Sequence, residues 1–401
     1  MTSPDAAATA DDPRTISAWM TFLLAAACGL IAANLYYAQP LAGPIRASLG
    51  LSPEATGLIV TLTQIGYGLG LLLIVPLGDL LENRRLILTM IGMAALALIA
   101  AGLAPTASAF LAAALLIGLA SVAVQIIVPF AAHMAPEAAR GQVVGNVMSG
   151  LMAGIMLARP VSSFIADILS WRAVFFLSTL VMGLLALVLA KALPQRRPQS
   201  ALRYGDLLAS LGHLALHTPI LQRRALYQAA LFGAFSLFWT VTPLVLAGPA
   251  FSLSQSGIAL FALAGAAGTV AAPIAGRLAD RGWSRPATAG AMILGASAFL
   301  VTHLVPEGST LSLGLFVAAA ILLDFGATVN IVLGQRAIFA LGAESRSRLN
   351  GLYMATFFAG GAIGSAAGGW AFAHGGWAWA SWAGMALPIA ALLYWMTERR
   401  G

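Results

Sequence analysis

The sequence predicts an all-α integral membrane protein of twelve transmembrane helices, arranged as two pseudo-symmetric six-helix bundles. Three observations predict it. Of 401 residues, 60% are hydrophobic and 9% charged, with a mean hydropathy of +0.89; soluble domains carry about a quarter charged residues. Twelve apolar runs are each long enough to cross a hydrocarbon core of about 30 Å. The charged turns between the runs recur roughly two hundred residues apart.

The runs occupy 16–38, 55–77, 86–103, 107–132, 142–167, 172–193, 223–247, 253–275, 287–304, 309–340, 350–373 and 377–397. Continuous apolar stretches of this length exclude a membrane barrel, whose strands alternate over about ten residues. Backbone in lipid must satisfy its own hydrogen bonds, so the runs are helices.

Arginine gives the sidedness. The turns after even-numbered runs, together with both termini, hold 18 of the 21 basic residues, among them Arg14, Arg84, Arg140, Arg277, Arg281, Arg285, Arg336, Arg348, Arg399 and Arg400. Arg46 and Arg172 lie opposite, and Arg159 falls within a span. The positive-inside rule then places both termini in the cytoplasm. The chain divides into a tail (1–15), a first bundle (16–193), a linker (194–222), a second bundle (223–397) and a short tail (398–401). The N-terminal tail lacks the basic region and cleavage site of a signal peptide, so the first run is expected to remain as a helix.

The net charge of +7 flanks spans and forms no Lys/Arg tract with interleaved aromatics, so no nucleic-acid partner is expected. Cys28, the single cysteine, allows no internal disulfide and no metal-type spacing. In the linker, His213 and His217 share a helix face without a third ligand; a surface helix lying on the membrane is the expectation.

The repeat extends beyond the turns. Asp79 and Arg84 stand five apart, as do Asp280 and Arg285. Farther on, "RGQVVGNVMSGLMAGIM" from Arg140 aligns with "RSRLNGLYMATFFAGGA" from Arg346. At that offset Gly145 meets Gly351, Gly154 meets Gly360 and Trp171 meets Trp377. A repeat of this size marks a transporter built from two bundles around a central site.

On these residues the chain resembles the major facilitator superfamily over nearly its whole length. "GRLADRGWSR" is close to the family signature in the turns after helices two and eight, and "GDLLENRR" is a diverged copy with Glu82 where glycine is usual. "NLYYAQPL" and "QIGYGLGLLLIVPLGD" resemble bacterial drug- or metabolite-efflux members. The resemblance implies alternating access, a bacterial cytoplasmic (inner) membrane location, and a cytoplasmic gate of Asp79, Arg84, Arg140, Asp280, Arg281, Arg285 and Arg348. Within that gate each aspartate would latch one bundle to the other; the alternative is that these residues are only topology and anchoring charges. It further implies proton-coupled efflux of a small organic solute (drug, sugar or metabolite), with proton-linked import as the alternative and a non-transporting membrane sensor as a third reading.

Charge inside hydrocarbon costs at least about 2.5–3.5 kcal/mol on insertion scales, so three charged positions stand out. Asp324, deep in run ten with no base within a turn, is the proton-coupling candidate; the alternative is a structural carboxyl bonded to a neighbouring helix. Arg159 replaces the glycine that precedes proline in the family's antiporter pattern. It could bind an anionic substrate, pair with Asp324 or Asp167, or reach the interface as a structural charge. Asp167 reads as interfacial. In the family, helices one, four, seven and ten line the cavity. That makes Asn34, Tyr37, Gln125, Asp324 and Asn330 candidate wall residues, with Phe235, Phe238 and Trp239 as an aromatic side; interhelical packing is the alternative for each.

No G-x-x-x-x-G-K-[ST], H-E-x-x-H or G-x-S-x-G occurs. The expected reading is a non-enzymatic protein without cofactor or resident metal. It would act as a monomer in the lipid bilayer on a small solute and protons.

Overall fold

The computed structural model describes residues 16–198, 203–342 and 345–398, and among them there are helices and turns but no strand. Arg14, Arg399, Arg400, the tail 1–15 and linker residues 199–202 lie outside the described residues. We number the helical segments α1–α12. The first bundle contains α1 (Ala18–Ala33), α2 (Glu54–Asp79), α3 (Asn83–Leu103), α4 (Ala107–Met134), α5 (Arg140–Ile168) and α6 (Trp171–Ala192). The second begins with α7 (Pro219–Ala247), followed by α8 in three pieces: Gln255–Ala262, a 3₁₀ stretch Leu263–Val270, and Ala271–Asp280. α9 (Ser284–Val301) and α10 (Thr310–Phe339) follow. The continuous helix Arg346–Met396 breaks at Gly375 and Gly376, the latter at φ +61°, giving α11 (346–374) and α12 (377–396). Eight described helices are long and apolar enough to cross a membrane alone, with α11 and α12 counted as one. α1, α8 and α9 are shorter or interrupted.

Helix starts follow from the sequence. Ser17, Thr106, Ser170, Ser254 and Ser309 each accept the backbone N–H three residues on, satisfying a donor that the first turn leaves orphaned. Glu82 caps α3 by accepting from the N–H groups of Arg84 and Arg85, both at 2.9 Å. It also accepts from the N–H of Arg196 in the linker, at 3.2 Å. Burial opposes ionisation of Glu82, but the N–H groups of Arg85, Arg84 and Arg196 outweigh it and hold the carboxyl below its ordinary range. That contribution is present above the ordinary carboxylate range and fades as pH falls through the depressed value.

The first span is shorter than expected. Regular helix ends at Ala33 and the chain passes through turns to Leu41 before a short helix, Ala42–Leu49. Pro40 disfavours helical backbone at Gln39; Tyr36 and Gln39 both sit on turns and not on a helix face.

The repeat is physical. Gly29 of α1 meets the backbone of Gly150 and Gly154 on α5, and Gly233 of α7 meets Gly360 and Gly364 on α11. Small residues let these helices touch backbone to backbone. Arg140 Nε donates to the Ala132 carbonyl at 3.1 Å, and Arg346 Nε to the Phe339 carbonyl at 3.2 Å, each capping the preceding helix end. Trp171 packs edge-on against Phe110 and Phe175, while Trp377 packs against Phe238 and Phe316.

The halves meet along α2–α11 and α5–α8. Thr61 and Ser365 hydroxyls bond at 2.8 Å, Gln64 Nε2 donates to Ser236 Oγ at 2.7 Å, and the Tyr67 and Phe358 rings lie 4.4 Å apart. Ser256 Oγ donates to Asp167 Oδ2, so Asp167 ties α5 to α8 at the end opposite Asp79. At the Asp79 end a cavity of about 200 Å³ separates Leu71, Val75 and Gln125 from Phe339, Arg346 and Asn350.

Candidate functional site

Arg159 and Asp324 are brought together at the seam between the halves. The turns after α1 carry Tyr36 and Gln39, α5 carries Arg159, α7 carries Phe235 and Trp239, and α10 carries Asp324. Arg159 is 4% exposed and Asp324 6%. The guanidinium carbon lies 4.6 Å from the Trp239 ring centroid, 5.0 Å from Tyr36 and 5.2 Å from Phe235. Arg159 Nε donates to Gln39 Oε1 at 2.8 Å. Trp239 Nε1 of the same indole donates to Asp324 Oδ1 at 2.9 Å. No ion pair within 4.0 Å joins Arg159 to Asp324 among the described residues; both contact the one indole. The 3₁₀ stretch of α8 closes the pocket, since a Cβ on Gly265 would strike Asp324 Oδ2 and the Trp239 ring.

The energetics of this cluster are uneven. Desolvating a cation costs several kcal/mol. Each aromatic face returns about 0.5–2 kcal/mol, and a charge-assisted hydrogen bond about 1.5–3 kcal/mol. These terms are of the same order, so the guanidinium is tolerated without a direct anionic partner. Arg159 Nη2 and Gln39 Nε2 are buried donors without a partner among the described residues. Trp239→Phe keeps the ring and removes the donor to Asp324. It is expected to destabilise the protein by about 1–3 kcal/mol, read as a lowered melting temperature in detergent.

The structure places the other expected wall residues differently. Gln125 lines the 200 Å³ cavity and donates to Tyr67 Oη at 3.0 Å. Tyr37 is half-buried against the first bundle and the seam. Asn34 bonds to Ser178 Oγ at 2.6 Å and Met182 Sδ at 3.5 Å, in the α1–α6 contact. Phe238 is fully buried in the second core against Phe299 and Trp377. Asn330 donates to Gln228 Oε1 at 2.7 Å between α10 and α7. Each polar group turns to the nearest partner within its own bundle, because an unpaired amide in an apolar interior is costly. Phe235, expected on the aromatic side, and Gln39 complete the Arg159 site.

The gate residues also find partners close by. Asp280 pairs with Arg336 of its own half at 2.6 Å, so it does not latch the bundles here; they stand apart at this end, and the nearer cation wins. Arg84 donates to the Ala190 carbonyl, and Arg285 to the Glu398 carbonyl at 2.7 Å, both within one half. Arg281 is exposed. Arg348 of α11 donates to Ser210 of the linker helix Tyr204–His217. Asp79 feels both Arg196 and Arg348 electrostatically, and Arg348 belongs to the opposite half.

Two similar halves of helices, meeting at a buried charge-bearing seam, define a transporter scaffold. The model of the Major Facilitator Superfamily matches residues 21–316 and 225–401, and the chain belongs to that family. It is 39% identical over 380 residues to the uncharacterized transporter YgaY of Escherichia coli O157:H7, covering 95% of each chain. It is 33% identical over 354 residues to the transporter SCO4007 of Streptomyces coelicolor, covering 87% of this chain and 80% of that one. The crystal structure of the nucleoside transporter NupG superposes with a TM-score of 0.75 at 14% identity, over 94% of this chain and 99% of that one, which shows the shared fold.

Proposed function

We propose that this protein is a proton-coupled secondary transporter of a small organic solute, working by alternating access between its two halves. The observation that carries the reading is a carboxyl and a guanidinium held on one indole at the seam, Asp324 on one half and Arg159 on the other. A proton arriving at or leaving Asp324 changes the electrostatic attraction across that seam. Asp79 and Arg348, on opposite halves at the cytoplasmic end of this scheme, supply a second cross-half attraction.

Resemblance of the first two helices to efflux members supports export. Arg159, standing where antiporters carry glycine, favours the second reading, proton-linked uptake. Purified protein in liposomes under an imposed pH gradient tests both, with a panel of acidic, neutral and basic solutes. Solute accumulation above protein-free vesicles is expected, and the gradient polarity that drives it separates exchange from co-transport. Absence of gradient-dependent flux for every solute class sinks the reading.

A further inference from the structure

We propose that the transported solute is an organic anion carrying an apolar or aromatic body, bound through Arg159 and Gln39, and that it travels in the same direction as the proton. This rests on the transporter reading above and assigns a substrate class to that site.

Arg159 is buried, and its hydrogen-bond partner Gln39 is neutral. Among the described residues its Nη2 and the Gln39 Nε2 are both buried donors without a partner, on side chains that already bond each other. Two neighbouring donors, one of them cationic, suit the two oxygens of a carboxylate or sulfonate. Tyr36, Phe235 and Trp239 flank the same guanidinium and offer ring faces to the remainder of the ligand. An organic cation would face like-charge repulsion here. A neutral solute would leave the cation without a counter-charge once Asp324 is protonated.

The direction of coupling follows from who competes for Arg159. The titratable or charged groups facing Asp324 are Arg159 on α5 and Tyr36 on the turns after α1; α7 presents Trp239, and the described 3₁₀ residues of α8 beside it present Gly265. Ionised Asp324 and a bound anion both draw on the one guanidinium, so they disfavour each other. Protonated Asp324 releases Arg159 to the ligand. Proton and anion therefore load together, which is co-transport.

Three measurements decide the matter. The first is calorimetric binding of benzoate and benzenesulfonate against benzamide and benzylamine, on the full chain in detergent. Each anion should bind about tenfold or more tightly than the amide, reflecting a charge-assisted pair. The second repeats that binding on two variants. Arg159→Gln should erase the preference, and Gln39→Leu should weaken it; circular dichroism and monodispersity report whether each variant folds. The third is flux of benzenesulfonate, which stays ionised and crosses lipid poorly. It should accumulate in vesicles with an alkaline lumen and not in those with an acidic one. Equal binding of benzamide, or an unchanged preference in both variants, overturns the substrate class. Accumulation in the acidic lumen overturns co-transport. Gradient-driven movement of neutral or cationic solutes alone overturns this inference and leaves the transporter reading standing. No movement of any class overturns the transporter reading itself.

Discussion

In liposomes carrying Asp324→Asn, an imposed pH gradient of one unit is expected to yield no solute accumulation, whereas the wild type accumulates about tenfold per coupled proton. The argument is chemical and local. Asparagine keeps an oxygen that can accept from Trp239 Nε1, now at 2.9 Å from the carboxylate, and it fills nearly the same space beside Gly265. It carries no exchangeable acidic proton and no negative charge, so the electrostatic link to Arg159 across the seam is lost in every state. Downhill equilibration of solute should persist, because alternation of the two halves needs no net charge at this point. The pair of results, uphill accumulation absent and downhill equilibration retained, identifies a coupling group. Loss of both would mark Asp324 as structural, and retention of both would remove it from the mechanism.

What the sequence revealed depended on which force left its mark there. Span positions were legible because hydrocarbon demands an unbroken apolar run, and even the break between α11 and α12 falls at Gly375 and Gly376, between the two expected runs. The repeat was legible because backbone-level contact admits only small residues. The facing of single polar side chains was not. Helices α7, α10 and the joined α11–α12 are apolar on every side, so position along them does not say which neighbour a residue meets. For Asn34, Phe238 and Asn330 the sequence left wall and packing positions open, and the structure shows their partners: Ser178 for Asn34, Trp377 for Phe238 and Gln228 for Asn330. Arg159 and Asp324 were found because charge in a span is rare whatever it faces. Gly265 left no signal, since its role is defined by Asp324 and Trp239, distant in the chain. Asp280 was expected across the seam, and its partner Arg336 is fixed by α8–α10 packing, which turn motifs do not encode.

Glycines of identical type on α5 should respond in opposite ways to substitution, and the second half should copy the first. A Cβ on Gly154 would overlap the backbone of Gly29, and one on Gly360 would overlap the backbone of Ala229. Backbone cannot rotate aside as a side chain can, so α1 would have to leave α5, or α7 leave α11. Overpacking a formed core costs about 1–3 kcal/mol, occasionally more, and Gly154→Leu or Gly360→Leu should lie at or above the top of that range. Gly145 and Gly351, their counterparts one alignment step earlier, have open space at the Cβ position and ordinary helical surroundings in α5 and α11. There alanine removes unfolded-state freedom and should stabilise by about 0.4–1 kcal/mol. Melting of the four single variants in detergent therefore sorts them into two severe losses and two small gains. The sorting must pair position 154 with 360 and 145 with 351. A pattern that paired them otherwise would mean that the two halves are packed by different rules despite their shared plan, and the seam could not then be treated as the meeting of two equivalent rigid bodies.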